Sequence, residues 1–335
     1  MKNKNKNIIK EINLNALRNA LKYTKVASKP VLAKLTGLSV VTINSLMNTL
    51  INSGEAIEDT VLPSNGGRPA TSFRFNSEFS LALFIYMHEE NGIDTAFVNV
   101  SNLYGEIIEK LKVHVTDLKL ESFDLLIEKM ILKYPAIKVI AFGIPGVEIN
   151  GKLLVDYEGL NNQSLTDYIR KKFSLPVIFE NDINAVVYGY SYLKEAEDDE
   201  CIIGIYFPDK YPPGAGIYFN GRIYKGRDGL AGEINNLPLG INWNKFDFNK
   251  EDINEIIIKI VLSFNCMYNP NTIVLYGRDI EESIREKVIE RCNSEIQRAM
   301  VPEIVISKEI NLDFEIGIKQ IALKYLEPKL MIKNK

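Results

Sequence analysis

The chain has 335 residues, 46% of them hydrophobic and 25% charged. That is a globular composition, which excludes wholesale disorder and, at roughly 150 residues per domain, suggests two or three domains. The net charge of −3 divides unevenly: residues 1–75 hold eleven Lys/Arg against four Asp/Glu, leaving a deficit of −10 for the rest. A basic end on an acidic body is the charge layout of a nucleic-acid-binding head. A flexible basic start over residues 1–12 would account for part of it, since four of the eleven cations lie in the first ten residues. Cys201, Cys266 and Cys292 are odd in number and widely spaced, which argues for a reducing compartment and against a disulfide framework or a cysteine zinc site. No apolar run approaches the ~18 residues of a membrane span, and the Lys-rich start is followed by no apolar signal segment. A cytoplasmic location without membrane contact is expected.

A head is expected over residues 13–78. Leu14, Leu17, Ala20 and Leu21 recur at helical spacing and predict a first helix ending near Tyr23. Pro30 suits the start of a second helix with Val31, Leu32 and Leu35 as its apolar face, stopped by Gly37. Ser39 is placed to cap a third helix, where Val40, Ile43, Leu46, Met47 and Leu50 alternate with polar residues up to Gly54. Two extended pieces, Ala56–Leu62 and Thr71–Phe75, flank a Gly66-Gly67-Arg68-Pro69 tip. Three helices and a hairpin predict a winged helix-turn-helix, with Gly37 in the sharp turn, Leu38 plugging the core and Ser39 opening the helix that would enter the major groove. The alternative reading of the Gly-Gly-Arg-Pro tip is a mere interdomain turn.

From Leu81 the grammar changes. Leu81–Met87, Thr95–Val100 and Ile107–Val115 read as strands, followed by a helix at Ser122–Tyr134 and an apolar strand at Lys138–Gly143. Near residue 201 the order restarts: strands at Cys201–Phe207, Ala215–Asn220 and Arg222–Lys225, a helix at Asp252–Met267, a strand at Thr272–Tyr276, a helix at Glu281–Asn293 and a strand at Glu303–Ile306. A last amphipathic helix covers Leu312–Leu326. The repeat of three linked strands and then helix–strand alternation predicts a duplicated α/β body over 79–335, in the layout of the actin and sugar-kinase ATPase fold. One lobe would take 79–180 with the C-terminal helix at 312–330, the other 181–311. The cleft between them is the default ligand site.

Two stretches carry chemistry: Leu175–Ala185, which contains Glu180-Asn181-Asp182-Ile183-Asn184-Ala185, and Asn220–Ile234, which contains Gly229-Leu230-Ala231-Gly232-Glu233. With Phe142-Gly143-Ile144-Pro145-Gly146, they closely resemble the ROK family of bacterial sugar-responsive repressors and sugar kinases. The resemblance runs from about Ala20 to Leu326 and includes the head that the family's repressors have and its kinases lack. It implies that Asn181 and Asp182 contact sugar hydroxyls, that Glu233 is the sugar-binding glutamate, and that Gly146 lies in the same pocket. In the kinases, the residue matching Asp182 is also the general base. The alternative readings are helix capping for Asn181 and Asp182 and a solvated loop charge for Glu233.

The departures from the kinases are as informative. Their first hairpin reads Asp-x-Gly-Gly-Thr, whereas this chain has His88-Glu89-Glu90-Asn91-Gly92, where acidic side chains replace a glycine nest for phosphate. Their second phosphate loop becomes Lys210-Tyr211-Pro212-Pro213-Gly214-Ala215-Gly216, in which two prolines remove amide donors. The Gly-Gly beside adenosine reads Tyr276-Gly277. Phosphoryl transfer depends on positioning those phosphates, so no kinase activity and no cofactor are expected. The family's zinc site is missing as well. Its histidine position is Asn236, a residue able to bond a sugar but a poor zinc ligand, and 242–252 contain no cysteine, so packing around Trp243 and Phe246 would have to order that region.

On the head, Ser39, Val40, Val41, Thr42, Asn44 and Ser45 would face DNA, with Asn44 suited to adenine, the valines to thymine methyls, and Arg68 to a minor groove. The expected protein is a transcriptional regulator, a homodimer or a tetramer, that binds double-stranded operator DNA and responds to a sugar or sugar derivative. Two alternatives are an active sugar kinase with a DNA-binding head and a ligand-independent regulator answering to a protein partner.

Overall fold

A computed structural model describes residues 2–62, 70–90, 93–115, 118–155, 157–208, 211–243, 253–277, 280–295 and 301–328. Helix α1 (Lys2–Thr24) begins eleven residues before Asn13, so the stretch expected as a flexible start is helical. Ile8, Ile9 and Ile12 prolong the helical apolar spacing ahead of Leu14, although Ile9 and Ile12 stay exposed beyond the core. Helix α2 (Lys29–Thr36) starts with Pro30 and stops at Gly37, whose φ of 71° is the left-handed conformation that ends helices. Of its expected apolar face only Leu32 is buried; Val31 and Leu35 point outward. Helix α3 (Val40–Ser53) is capped by Ser39, whose Oγ accepts from the Thr42 backbone N–H at 3.1 Å. Strands β2 (Ala56–Leu62) and β3 (Ala70–Phe75) form the hairpin, and a third strand, β1 (Val26–Ser28), pairs with β3. Its three residues carry no periodic signal. Leu17, Leu21, Leu32, Ile43, Met47, Leu50 and Phe73 close the core of the head.

The body contains two sheets of the same topology. In the first, β4 (Leu81–Glu90), β5 (Ile93–Ser101) and β6 (Ile107–His114) are antiparallel, and β4 continues in parallel to β7 (Ile137–Ile144) and β10 (Val177–Asn181). In the second, β11 (Ile202–Phe207), β12 (Gly214–Phe219) and β13 (Arg222–Ile223) are antiparallel, and β11 continues in parallel to β14 (Thr272–Gly277) and β15 (Glu303–Ser307). The duplicated two-lobed α/β fold is therefore present.

Helix α4 (Asp124–Lys133) follows a short 3-10 turn, Leu120–Phe123, which takes up the first residues of the helix expected from Ser122. The small hairpin β8 (Val147–Ile149)–β9 (Lys152–Leu154) and helix α5 (Leu165–Phe173) had no expected counterpart. Together α4 and α5 cover the outer face of the first sheet, while α7 (Ile253–Tyr268) and α8 (Ser283–Glu295) cover that of the second.

Between the sheets lie α6 (Asp182–Leu193) and α9 (Ile310–Leu326), which join Phe84, Tyr86 and Ala141 of one lobe to Ile202, Val274 and Tyr276 of the other in one core. The two helices touch backbone to backbone. A Cβ on Gly189 would lie 1.8 Å from the Asp313 carbonyl oxygen, and one on Gly317 1.8 Å from that of Ala185. Along Ala185–Gly189, α6 is thus held directly against α9 between the two sheets.

The head is not detached. Leu103 and Tyr104, in the β5–β6 turn, pack on its core; the Tyr104 ring meets Phe75 edge-on at 5.7 Å, and the Leu103 N–H donates to the Ser77 carbonyl.

Candidate functional site

Strand β10 ends at the mouth of the cleft and α6 begins there. Asn181 caps the helix: its Oδ1 accepts from the Asn184 N–H at 3.1 Å, and its Nδ2 donates to the Gly146 carbonyl at 3.0 Å. Much of its hydrogen-bonding capacity thus holds the strand–helix junction, which is the capping role the sequence also allowed. Asp182 follows in the first turn. Burial pushes its carboxyl up to about 6, against the pull of the Ile183 backbone N–H, and the nearby charge of Glu233 raises it further. Glu233 comes from the opposite lobe and is exposed to the cleft. Its loop is laid flat on β12 at Gly232, with φ 91°, where a Cβ would sit 1.8 Å from the Ala215 carbonyl oxygen. The Ala215 N–H donates to the Gly232 carbonyl at 2.9 Å and fixes that approach.

Asn181, Asp182, Glu233 and Gly146 line one cavity of about 450 Å³. Asn236 does not. The 3-10 turn Ile234–Asn236 buries Ile234, and in that turn it is Asn235 that lines the cavity, while Asn236 is exposed and donates to Asn235 Oδ1 at 2.9 Å. Tyr157, Asn161 and Tyr206 also line it and were not anticipated, as does His88 from the altered first hairpin. No motif marks Tyr157 or Asn161, whereas Asn235 was one position from a residue already singled out. Tyr211, Pro212 and Pro213, from the altered second phosphate loop, form part of the wall, and Lys210 lies outside the described residues. Strands β4 and β5 pair as far as Glu90 and Ile93, and residues 91–92 lie outside the described residues. Tyr276 is fully buried and its hydroxyl donates to Asp313 Oδ2 at 2.8 Å, in the core between the lobes. Trp243 packs against the second lobe's core; Phe246 lies outside the described residues.

A second polar link crosses the cleft. Lys225 Nζ lies 2.7 Å from Glu180 Oε2, and Glu180 Oε1 accepts from the Asn181 N–H and from Asn184 Nδ2. The loop leading to Glu233 is thereby tied to the strand that ends at Asn181, one residue before Asp182.

On the head, α2 and α3 make an angle of 109°, within the range of a helix-turn-helix. Ser39, Val40, Val41, Asn44 and Ser45 are exposed and Thr42 half-buried, so the predicted readers lie together on the first two turns of α3. Val41 is 81% exposed, which no packing role explains. Lys29 Nζ donates to Asn44 Oδ1 and stands over the Phe73 ring, placing a cation beside that surface that sequence spacing did not single out. Arg68 lies outside the described residues. Among the described residues no single helix is long and apolar enough to cross a membrane.

Residues 90–251 match the model of the ROK family. The chain is 29% identical over 248 residues to a xylose repressor of Caldicellulosiruptor bescii, covering 70% of this chain and 60% of that protein. It is 25% identical to the xylose repressor of Bacillus subtilis (71% and 63%) and 23% identical to the DNA-binding transcriptional dual regulator NagC of Escherichia coli (70% and 60%). These matches span about three fifths of the length of the curated relatives. Among solved structures, a ROK family transcriptional regulator, a homologue of the E. coli MLC protein, superposes over 95% of this chain and 98% of its own with a TM-score of 0.63 at 21% identity. The ROK hexokinase of Thermus thermophilus superposes over 74% of this chain and 98% of its own, with a TM-score of 0.56 at 18% identity. Residues 90–251 are thus ROK-like in sequence, and the chain shares its fold with solved ROK family proteins.

Proposed function

We propose that the chain is a cytoplasmic DNA-binding repressor of carbohydrate uptake or catabolism genes, whose kinase-like body senses a sugar instead of phosphorylating it. The observation that carries this reading is the first turns of α3, where a capped helix presents valine, asparagine and serine side chains to solvent beside Lys29. Such a surface suits thymine methyls and adenine edges in a major groove. The relatives described as repressors support it. The cleft supplies the sensor: Asp182 and Glu233 are acceptors for sugar hydroxyls, with amide groups from Asn181 and Asn235 beside them. Phosphate binding has little support, because the loop that would cradle it presents Tyr211, Pro212 and Pro213. Operators are read as paired half-sites, so the working form is a homodimer, or a tetramer built from two. Lobe movement on sugar binding would change the spacing of two recognition helices that must match about 34 Å of DNA.

The test is a titration of a selected operator fragment with and without sugar. Asp182→Asn and Glu233→Gln should keep DNA affinity and lose the sugar response. Asn44→Ala and Arg68→Ala should weaken DNA binding by about 1–3 kcal/mol per base-reading contact and keep sugar binding. ATP-dependent phosphorylation of a hexose that is abolished by Asp182→Asn would overturn the repressor reading.

A further inference from the structure

Three tyrosines from both lobes wall the cavity beside Asp182. Tyr157 follows β9 in the first lobe, Tyr206 lies on β11, and Tyr211 belongs to the loop before β12 in the second. Tyr157 is close enough to Asp182 and Tyr211 for both to act on its hydroxyl electrostatically, and that hydroxyl donates to Asp94 Oδ1 at 3.4 Å. Burial first, and these neighbours after it, hold Tyr157 protonated at any physiological pH. We infer that these tyrosines form a second sugar subsite. The ligand is then a neutral disaccharide, with one ring on Asp182 and Glu233 and the other stacked against Tyr157 and Tyr211. This rests on the sugar-sensing reading above and adds the size and charge of what is sensed.

Three features point the same way. The cavity of about 450 Å³ lies in the range of roughly 300–1,000 Å³ that encloses drug-sized ligands, more than a single pyranose ring fills. Tyrosine suits a sugar ring, because its flat face takes the apolar C–H side. Charge disfavours a phosphorylated or nucleotide occupant: His88 is the one basic side chain among the described lining residues, two carboxylates face the space, and Pro212 and Pro213 offer no N–H. A two-ring ligand would also touch both lobes at once, through Tyr157 on one side and Tyr211 on the other, and so favour the closed arrangement.

The experiment is calorimetry on the full chain with paired probes: xylose and xylobiose, glucose and cellobiose, glucose and maltose, N-acetylglucosamine and chitobiose. At least one disaccharide should bind tenfold or more tightly than its monosaccharide. Tyr157→Ala and Tyr211→Ala should bring that disaccharide down to the monosaccharide level while leaving monosaccharide affinity within threefold, and Tyr211→Phe should restore the difference. If every disaccharide binds no better than its monosaccharide, or the tyrosine variants weaken both alike, the subsite is refuted and the sensor reading stands. If none of the probes binds, the sugar-sensing reading itself falls, and the subsite with it.

Discussion

Replacing Gly317 by alanine sets helix propensity against sterics, and the structure says which wins. In an exposed helix the change would stabilise by about 1 kcal/mol. Here the new Cβ would lie 1.8 Å from the Ala185 carbonyl oxygen and 2.7 Å from its carbon. Ordinary contact begins near 3.4 Å, so α9 would have to withdraw from α6 by about 1.5 Å. Neither helix is free to move. Helix α9 packs on β4 and β7 and α6 on β11 and β12, so withdrawal loosens apolar layers in both lobes. Overpacking of this kind costs about 1–3 kcal/mol, and the upper end applies where two layers open together. The expected net loss is about 2 kcal/mol. Urea denaturation followed by Trp243, the single tryptophan and one packed on the second lobe's core, should show a lower midpoint at unchanged slope. Gly189→Ala should cost a similar amount, and the double variant less than the sum, because the first Cβ already separates the helices. A Gly317→Ala protein as stable as the wild type would refute the reasoning.

Other perturbations test the sites. Burial raises the carboxyl of Asp182 to about 6, above the ordinary aspartate range, so its contribution is favourable below that ordinary range and is lost as pH rises through about 6. Asp182→Asn should therefore be about 2 kcal/mol more stable than wild type at pH 7.5, a margin that melting curves should show vanishing near pH 4. Tyr104→Ala removes a ring that meets Phe75 and lies under Lys25, in a turn whose Gly105 abuts Leu323 of α9; it should leave sugar and DNA affinities near wild type but shrink the effect of sugar on DNA binding. Val41→Glu places a charge where the chain is open to solvent, so it should abolish operator binding in a gel-shift titration with a melting temperature within a degree or two of wild type.

The sequence alone determined the elements that carry strong local signals. Ser39 and Gly37 mark helix ends by chemistry that does not depend on neighbours, and the apolar strands restarting near residue 201 announced the duplication that the two matching sheets display. Asp182 and Glu233, 51 positions apart, were singled out together by the resemblance of their motifs to the ROK family, and the fold lines one cavity with both. Tertiary structure decided what spacing could not express. The strand at Val26–Ser28 exists because β3 offers an edge for it, not because its residues demand it. Asn235 rather than Asn236 reaches the cleft, since burying Ile234 sets the rotation of a tight turn. Asn181 spends much of its side chain on the helix start and Gly146, a choice between capping and ligand contact that only a folded junction can make. Tyr157 and Tyr211 are 54 positions apart in no shared motif, and they meet beside Asp182 only because the two lobes close on helices α6 and α9. Local chemistry is written along the chain, whereas the joining of side chains from opposite lobes depends on a packing interface that no single segment contains.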